Sequence, residues 1–247
     1  MTRICIDPGH GGGDPGACAN GLIEKVLNLH IALRVADILE NDYQDTVISL
    51  TRTKDETVSL KQRVDKCNAW NADFFLSIHN NAGGGTGFES FVLPGAYAAT
   101  KAKQAAIHDN VMMFLKGYGK RDRGKKTANF YVLKNTKASA VLLECLFVDH
   151  AEDATLLKQN TFLNGLADAI ARGTAKALGL KRKPAPVSVP SQLPKIAKQI
   201  AVRVDGKPVS AVGYLINNTT YLQGLYVADL LGGKVVGHGD YVDIKTK

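Results

Sequence analysis

Across residues 1–180, short apolar runs alternate with segments whose apolar residues recur at helical spacing. Residues 3–7 (Arg-Ile-Cys-Ile-Asp) read as a strand, and a glycine-rich loop follows over residues 8–21. Residues 22–40 carry Val26, Leu29, Leu33, Ala36, Ile38 and Leu39 at helical intervals. Residues 46–50 are the next strand. Ser59 then caps a helix to about residue 70 that sets Leu60, Val64 and Cys67 on one face. Residues 74–78 and 88–93 read as strands on either side of Gly83-Gly84-Gly85, and residues 98–115 as a helix. Strands are expected near 130–133 and over 140–147, then helices near 151–158 and 162–178, with Gly179 ending the last one.

Uninterrupted apolar strands such as Val141-Leu142-Leu143 require a sheet covered on both sides, and the intervening helices supply the cover. The expected fold is α/β: a twisted mixed sheet flanked by helices on both faces, spanning residues 1–180. The pattern then changes. Residues 181–194 hold Pro184, Pro186, Pro190 and Pro194 without helical period, which marks a semi-rigid linker. Residues 195–247 form a small α+β module, with strands at 199–204, 209–215 and 241–244 around a helix at 221–231. About fifty residues make a thin core, so a partner or a dimer through this module is one way to complete it.

The net charge of +8 is unevenly spread, for from residue 181 onward ten basic residues face four acidic ones. A tail carrying +6 suits a polyanion such as an anionic wall polymer. The run Lys120-Arg121-Asp122-Arg123-Gly124-Lys125-Lys126 reads instead as a solvated loop, since no aromatic residues interleave it as nucleic-acid binding would require. The loop at 9–13 lacks both GxGxxG and a Walker lysine, which argues against a nucleotide site. No apolar run reaches the roughly 20 residues of a membrane span. The first seven residues read as strand rather than signal peptide, so the expected place of synthesis is a cytoplasm. Cys5, Cys18, Cys67 and Cys145 form no CxxC pair and are read as buried free thiols, the alternative being a pair on neighbouring strands.

The chemistry concentrates where strands end. His10 follows the first strand, Glu24 opens the first helix, and His79 closes the 74–78 strand. Functional groups of α/β sheets gather at such carboxyl ends. Two imidazoles and one carboxylate with an open fourth position form a catalytic zinc set. Glu144 lies in a strand with apolar neighbours on both sides, which is expensive unless the acid is paired or functional, and it is the candidate general base. His30, His108, His150 and His238 sit in ordinary polar contexts and are left aside.

Asp7-Pro8-Gly9-His10-Gly11-Gly12, Glu24-Lys25, Leu50-Thr51-Arg52, Ser77-Ile78-His79-Asn80-Asn81-Ala82 and the Glu144 strand occur in this order. Together they resemble the zinc-dependent N-acetylmuramoyl-L-alanine amidases of the amidase 3 type. The resemblance implies zinc on His10, Glu24 and His79, a catalytic Glu144, and hydrolysis of the amide between N-acetylmuramic acid and L-alanine in peptidoglycan. It also implies a substrate hydrogen bond from Asn81, and a structural or substrate-side carboxylate at Glu89 in Gly87-Phe88-Glu89. The family strand carries glycine where this chain has Leu146. A basic module behind such a head implies a wall-targeting role, and the C-terminal segment faintly resembles a stalk-like domain of cell-wall proteins. The expected setting is a phage endolysin of a Gram-positive host, reaching the wall through a holin or by lysis. The alternatives are a mother-cell autolysin of sporulation and a wall-binding protein without activity.

Overall fold

The computed structural model describes residues 1–183 and the backbone of five strands between residues 198 and 245. The chain divides into two compact units, Met1–Lys183 and Pro184–Lys247.

The first unit is built on β1 (Thr2–Pro8), a β2 (Cys18–Ala19) and β3 (Leu22–Ile23) hairpin, α1 (Glu24–Asp42), β4 (Thr46–Leu50), α2 (Leu60–Ala69), β5 (Phe74–Asn81), β6 (Phe88–Val92), α3 (Ala98–Lys116), β7 (Asp122–Thr127), α4 (Tyr131–Asn135), β8 (Ser139–Phe147), α5 (Ala151–Leu157) and α6 (Asn160–Leu178). The main sheet has the order β4-β1-β5-β8-β6-β7. The first four strands run parallel, β6 runs antiparallel to β8, and β7 runs parallel to β6. This is the mixed sheet with helices on both faces that the sequence pattern predicts. Among the described residues no helix is long and apolar enough to cross a membrane.

Strand alternation sorts the core in two. One face carries Ile4, Ile6, Leu76, Ile78, Val141 and Leu143, packed beneath residues of α1, α3 and α6. The other carries Cys5, Phe75, Ala140 and Leu142, packed beneath Val64 and Cys67 of α2 and Val132 and Leu133 of α4. The smaller helices cover less of the second face, and that is where the polar row described below opens.

Several elements depart from the sequence reading. The buried side of α1 is Glu24, Leu27, Asn28, Ile31, Val35, Ile38 and Leu39, whereas Val26 and Leu33 are exposed. Apolar residues lie on both sides of this helix, and its orientation follows from the inward-facing Glu24. The basic run expected as a loop is the edge strand β7, where charged side chains guard an unpaired edge. The strand expected near 130–133 is the short helix α4, so tertiary packing overrides the β-propensity of Phe130-Tyr131-Val132. Cys5 and Cys67 are not free thiols but a disulfide, with Cα atoms 5.9 Å apart, joining β1 to α2. A strand–helix pair of this kind has no sequence signature. Cys18 is free and exposed, and Cys145 free and buried. Ser59 caps α2 with Gln62 in a reciprocal capping box, and Gly179 ends α6 at φ 64°.

The first unit runs through Lys183, for Arg182 pairs with Asp42 and Lys183 donates to the Glu40 carbonyl. In the second unit β9 (Lys198–Val204), β10 (Lys207–Ile216), β11 (Thr219–Leu222), β12 (Lys234–Gly237) and β13 (Tyr241–Lys245) form a sheet ordered β11-β10-β9-β13-β12. Tyr221 and Leu222 belong to β11 rather than to the helix expected at 221–231, whose remaining residues lie outside the described ones, as do the linker prolines.

Candidate active site

His10 stands two residues beyond β1, Glu24 is the first residue of α1, and His79 is the third residue from the end of β5. Their ligand atoms all fall within 4.8 Å of one another. Glu24 bridges the pair, with Oε2 3.2 Å from His10 Nε2 and Oε1 3.0 Å from His79 Nδ1. Asp14 Oδ2 lies 2.8 Å from the other His10 nitrogen, an outer carboxylate that fixes the ring. The hydrogen bond to Glu24 lifts His10 to about 9. Burial pushes the Glu24 carboxyl up, but hydrogen bonds from His10 and His79 outweigh it and hold the group well below the usual carboxylate range. A carboxylate between two imidazoles demands positive charge among the three, and a divalent cation meets that demand as well as a proton does.

The backbone is shaped around this cluster. His10 adopts φ 60°, which few side chains tolerate. Gly9 is required because a Cβ there would overlap the His79 ring. Two buried guanidinium groups hold the loop from below. Arg52 donates to the carbonyls of Pro8 and Gly9 at 3.0 and 2.9 Å, and Arg63 to those of Pro8 and His10, both at 2.6 Å. Arg63 also donates to Asp7, which accepts from Thr51 and Ser77 as well. Arg52 lies within a motif quoted from the sequence, but Arg63 does not. Its one signal was an arginine at a helix position that should face the core.

Glu144 pairs in register with His79 across β5 and β8, and with Glu89 across β8 and β6. One cross-strand row thus carries His79, Glu144 and Glu89 on the same face of the sheet. Glu144 Oε2 is buried with no hydrogen-bond partner among the described residues. Burial lifts its carboxyl from 4.5 to about 7. Two residues on, Leu146 occupies the left-handed region at φ 72°, so the backbone there keeps a conformation that glycine would adopt freely.

Asn81 turns its amide inward, with Nδ2 donating to Glu89 Oε1 at 2.7 Å and Oδ1 accepting from the Ala82 N–H. Glu89 also accepts from Arg123 at 2.9 Å and from Lys126. The segment between β5 and β6 is tied down by acids, for Gly83 and Gly84 donate to Asp149, and Thr86 and Gly87 to Asp153. Of the histidines set aside, His108 is fully buried, between Ser90 Oγ and Asp122 Oδ1 at 2.9 Å each, where it pins β7 to α3. His150 and His30 lie outside the cluster, and His238 outside the described residues. A cleft of about 460 Å³ runs over His10, His79 and Glu144 and is also lined by Val58, Leu60, Phe130, Tyr131 and Val132.

Residues 4–176 match the family model described as N-acetylmuramoyl-L-alanine amidase. The chain belongs to this amidase family. Among its relatives are the N-acetylmuramoyl-L-alanine amidase CwlM of Bacillus licheniformis, 50% identical over 75% of this chain and 72% of that protein. The sporulation-specific N-acetylmuramoyl-L-alanine amidase of Bacillus subtilis is 49% identical over 74% of this chain and 70% of its own. The endolysin of Bacillus phage SPP1 is 44% identical over 73% and 67%. The catalytic domain of CwlV, an N-acetylmuramoyl-L-alanine amidase from Bacillus (Paenibacillus) polymyxa, superposes with a TM-score of 0.67 at 34% identity, covering 73% of this chain and all of that one. The protein is therefore an amidase of peptidoglycan, and the cleft lies within the matched segment.

Proposed function

We propose that the amidase is zinc-dependent, with His10, Glu24 and His79 as ligands and Glu144 as the general base. The observation that carries this reading is the convergence of three donor side chains within 4.8 Å, one of which, His79, pairs across the strands with a buried carboxylate that has no hydrogen-bond partner among the described residues. When bound, zinc supplies Lewis acidity to the substrate carbonyl and to water. Glu144, raised to about 7 by its surroundings, is matched to take a proton from water at neutral pH and return it to the departing alanine nitrogen. Asp14, Arg52 and Arg63 hold His10 in place throughout. Leu60, Phe130 and Tyr131, each with substantial exposed surface beside the cluster, offer apolar faces to the substrate and exclude water from it.

The setting we propose is lysis from within, as an endolysin that reaches the wall through a holin or by cell rupture. Likeness to the phage SPP1 endolysin and the basic second unit support it. Likeness to a sporulation-specific amidase supports a second reading, lysis of a mother cell. In either setting the C-terminal unit, whose seven basic residues against four acidic ones leave it at +3 from residue 184, would hold the enzyme on anionic wall polymers and raise the local substrate concentration. The test is metal content together with wall digestion, for the purified chain and for His79→Ala. One zinc per chain, new alanine amino termini, and loss of both in the variant are expected. Full digestion by a metal-free sample would remove zinc from the mechanism.

A further inference from the structure

Beyond Glu144 the cross-strand row continues into a cluster that the hydrolysis itself does not use. Glu89 pairs with Glu144 on one side and with Gly124 of β7 on the other. Its carboxylate receives Asn81, Arg123 and Lys126, so one negative charge faces two positive ones. Burial pushes the Glu89 carboxyl up, but the hydrogen bonds from Lys126 and Arg123 win and keep it ionised.

Arg123 is held more firmly than a surface arginine. Its Nε donates to Glu89 Oε2 at 2.9 Å, and its guanidinium carbon lies 4.7 Å from the centre of the Phe147 ring. Its side chain is three-quarters buried, at 25% relative exposure. Among the described residues neither Nη atom donates to an acceptor, so the forked end of a preorganised guanidinium is left for something else. Gly85 makes room for it, since a Cβ there would come 3.0 Å from Nη1 and 2.5 Å from the Phe147 ring. Phe147 is the register partner of Asn81, so this fork opens on the same sheet edge as the catalytic cluster.

Adjacent strands lie about 4.8 Å apart, which sets β7 about 10 Å from the strand of Glu144. An extended peptide covers that span in about three residues. We propose that Arg123, steadied by Glu89 and Phe147 and assisted by Lys126, is a specificity residue that binds a carboxylate of the peptide stem within two or three residues of the scissile amide. The stem is anionic where the γ-linked glutamate after L-alanine keeps its α-carboxyl free, and uncharged there where that group is amidated. The inference rests on the amidase reading of the cleft and names which chemical form of its substrate the enzyme prefers.

The test compares N-acetylmuramoyl-L-alanyl-γ-D-glutamyl-L-lysine with the glutamyl α-carboxyl free or amidated, using the full chain loaded with zinc. The wild type should favour the free carboxyl by about tenfold or more in kcat/KM, expressed mainly in KM. Arg123→Gln should abolish the preference, and Arg123→Lys, which keeps the charge without the fork, should restore part of it. Lys125→Gln, on the same strand but paired with Asp109, should keep the preference and so excludes a mere effect of net charge. Indifference of the wild type to amidation, or an undiminished preference in Arg123→Gln, would overturn the assignment. Failure of the amidase reading is a separate outcome, seen as no new alanine amino terminus from either compound. In that case the affinities of the free and amidated stem tripeptides, measured calorimetrically, still decide the matter, and equal affinities refute the proposal.

Discussion

Arg63 donates to Asp7 Oδ1 at 2.7 Å, with both side chains sealed from solvent, and the same guanidinium reaches the carbonyl of the metal-ligand candidate His10. Removing one partner of a buried ion pair leaves the other uncompensated, at about 3–5 kcal/mol. Arg63→Ala should therefore unfold at much lower denaturant, and any folded fraction should bind zinc at least tenfold more weakly because the His10 loop has lost its anchor. A stability loss below about 1 kcal/mol would show that Thr51 and Ser77 suffice for Asp7.

Glu144→Gln should lower turnover by about 10²–10⁴-fold while zinc content, measured by atomic absorption, stays at the wild-type level. The metal-free protein gives a second readout. Burial lifts the folded-state carboxyl from 4.5 to about 7, so the stability it contributes is present below 4.5 and lost as pH rises through 7. Metal-free wild type and variant should be equally stable near pH 4.5, with the variant ahead by up to about 3 kcal/mol at pH 8. Parallel stability curves would mean that the carboxyl titrates as if exposed.

Leu146 sets two effects against each other. Its buried side chain is worth about 2–5 kcal/mol over alanine, whereas its left-handed backbone costs about 1–2 kcal/mol. Packing wins, so both Leu146→Ala and Leu146→Gly should be destabilised. Relief of the backbone exceeds the chain entropy of glycine, so the glycine variant should be the more stable of the two by about 0.5–1 kcal/mol in denaturant unfolding. The opposite order would show that the left-handed conformation is not retained.

The Cys5–Cys67 link spans 62 residues of sequence and closes a loop worth about 4 kcal/mol in the chain-entropy account. Thiol titration of the denatured, unreduced chain should find two reactive groups, Cys18 and Cys145, and four after reduction. In the folded protein Cys18 should react quickly, whereas Cys145 is protected by its burial, which also pushes its thiol well above the usual range. Four thiols before reduction would remove the link.

The sheet and the convergence of His10 and His79 were legible because each depends on local pattern. Apolar runs mark strands, and His10 and His79 sit directly at strand ends. What the sequence concealed depends on distant partners. Arg63 meets groups 53 to 56 residues away, Cys5 meets Cys67 from a helix, and His108 finds Ser90 and Asp122 on two different strands. The orientation of α1 escaped because Val26 and Leu33 are as apolar as the residues that are buried, so hydrophobicity alone cannot choose between two sides of the helix. Strand β7 escaped because an edge strand rich in lysine and arginine has no apolar alternation to detect.

The antiparallel run of β6 has a consequence for how such an enzyme diversifies. Residues 82–87 leave β5 just past His79 and enter β6 just before Glu89, so both ends of this connection are rooted beside the row of His79, Glu144 and Glu89. Lengthening it would leave every sheet pairing untouched while reshaping the surface beside Arg123 and Phe147, which Gly85 of this connection meets. Here a lineage can change which wall it digests without renegotiating how it folds.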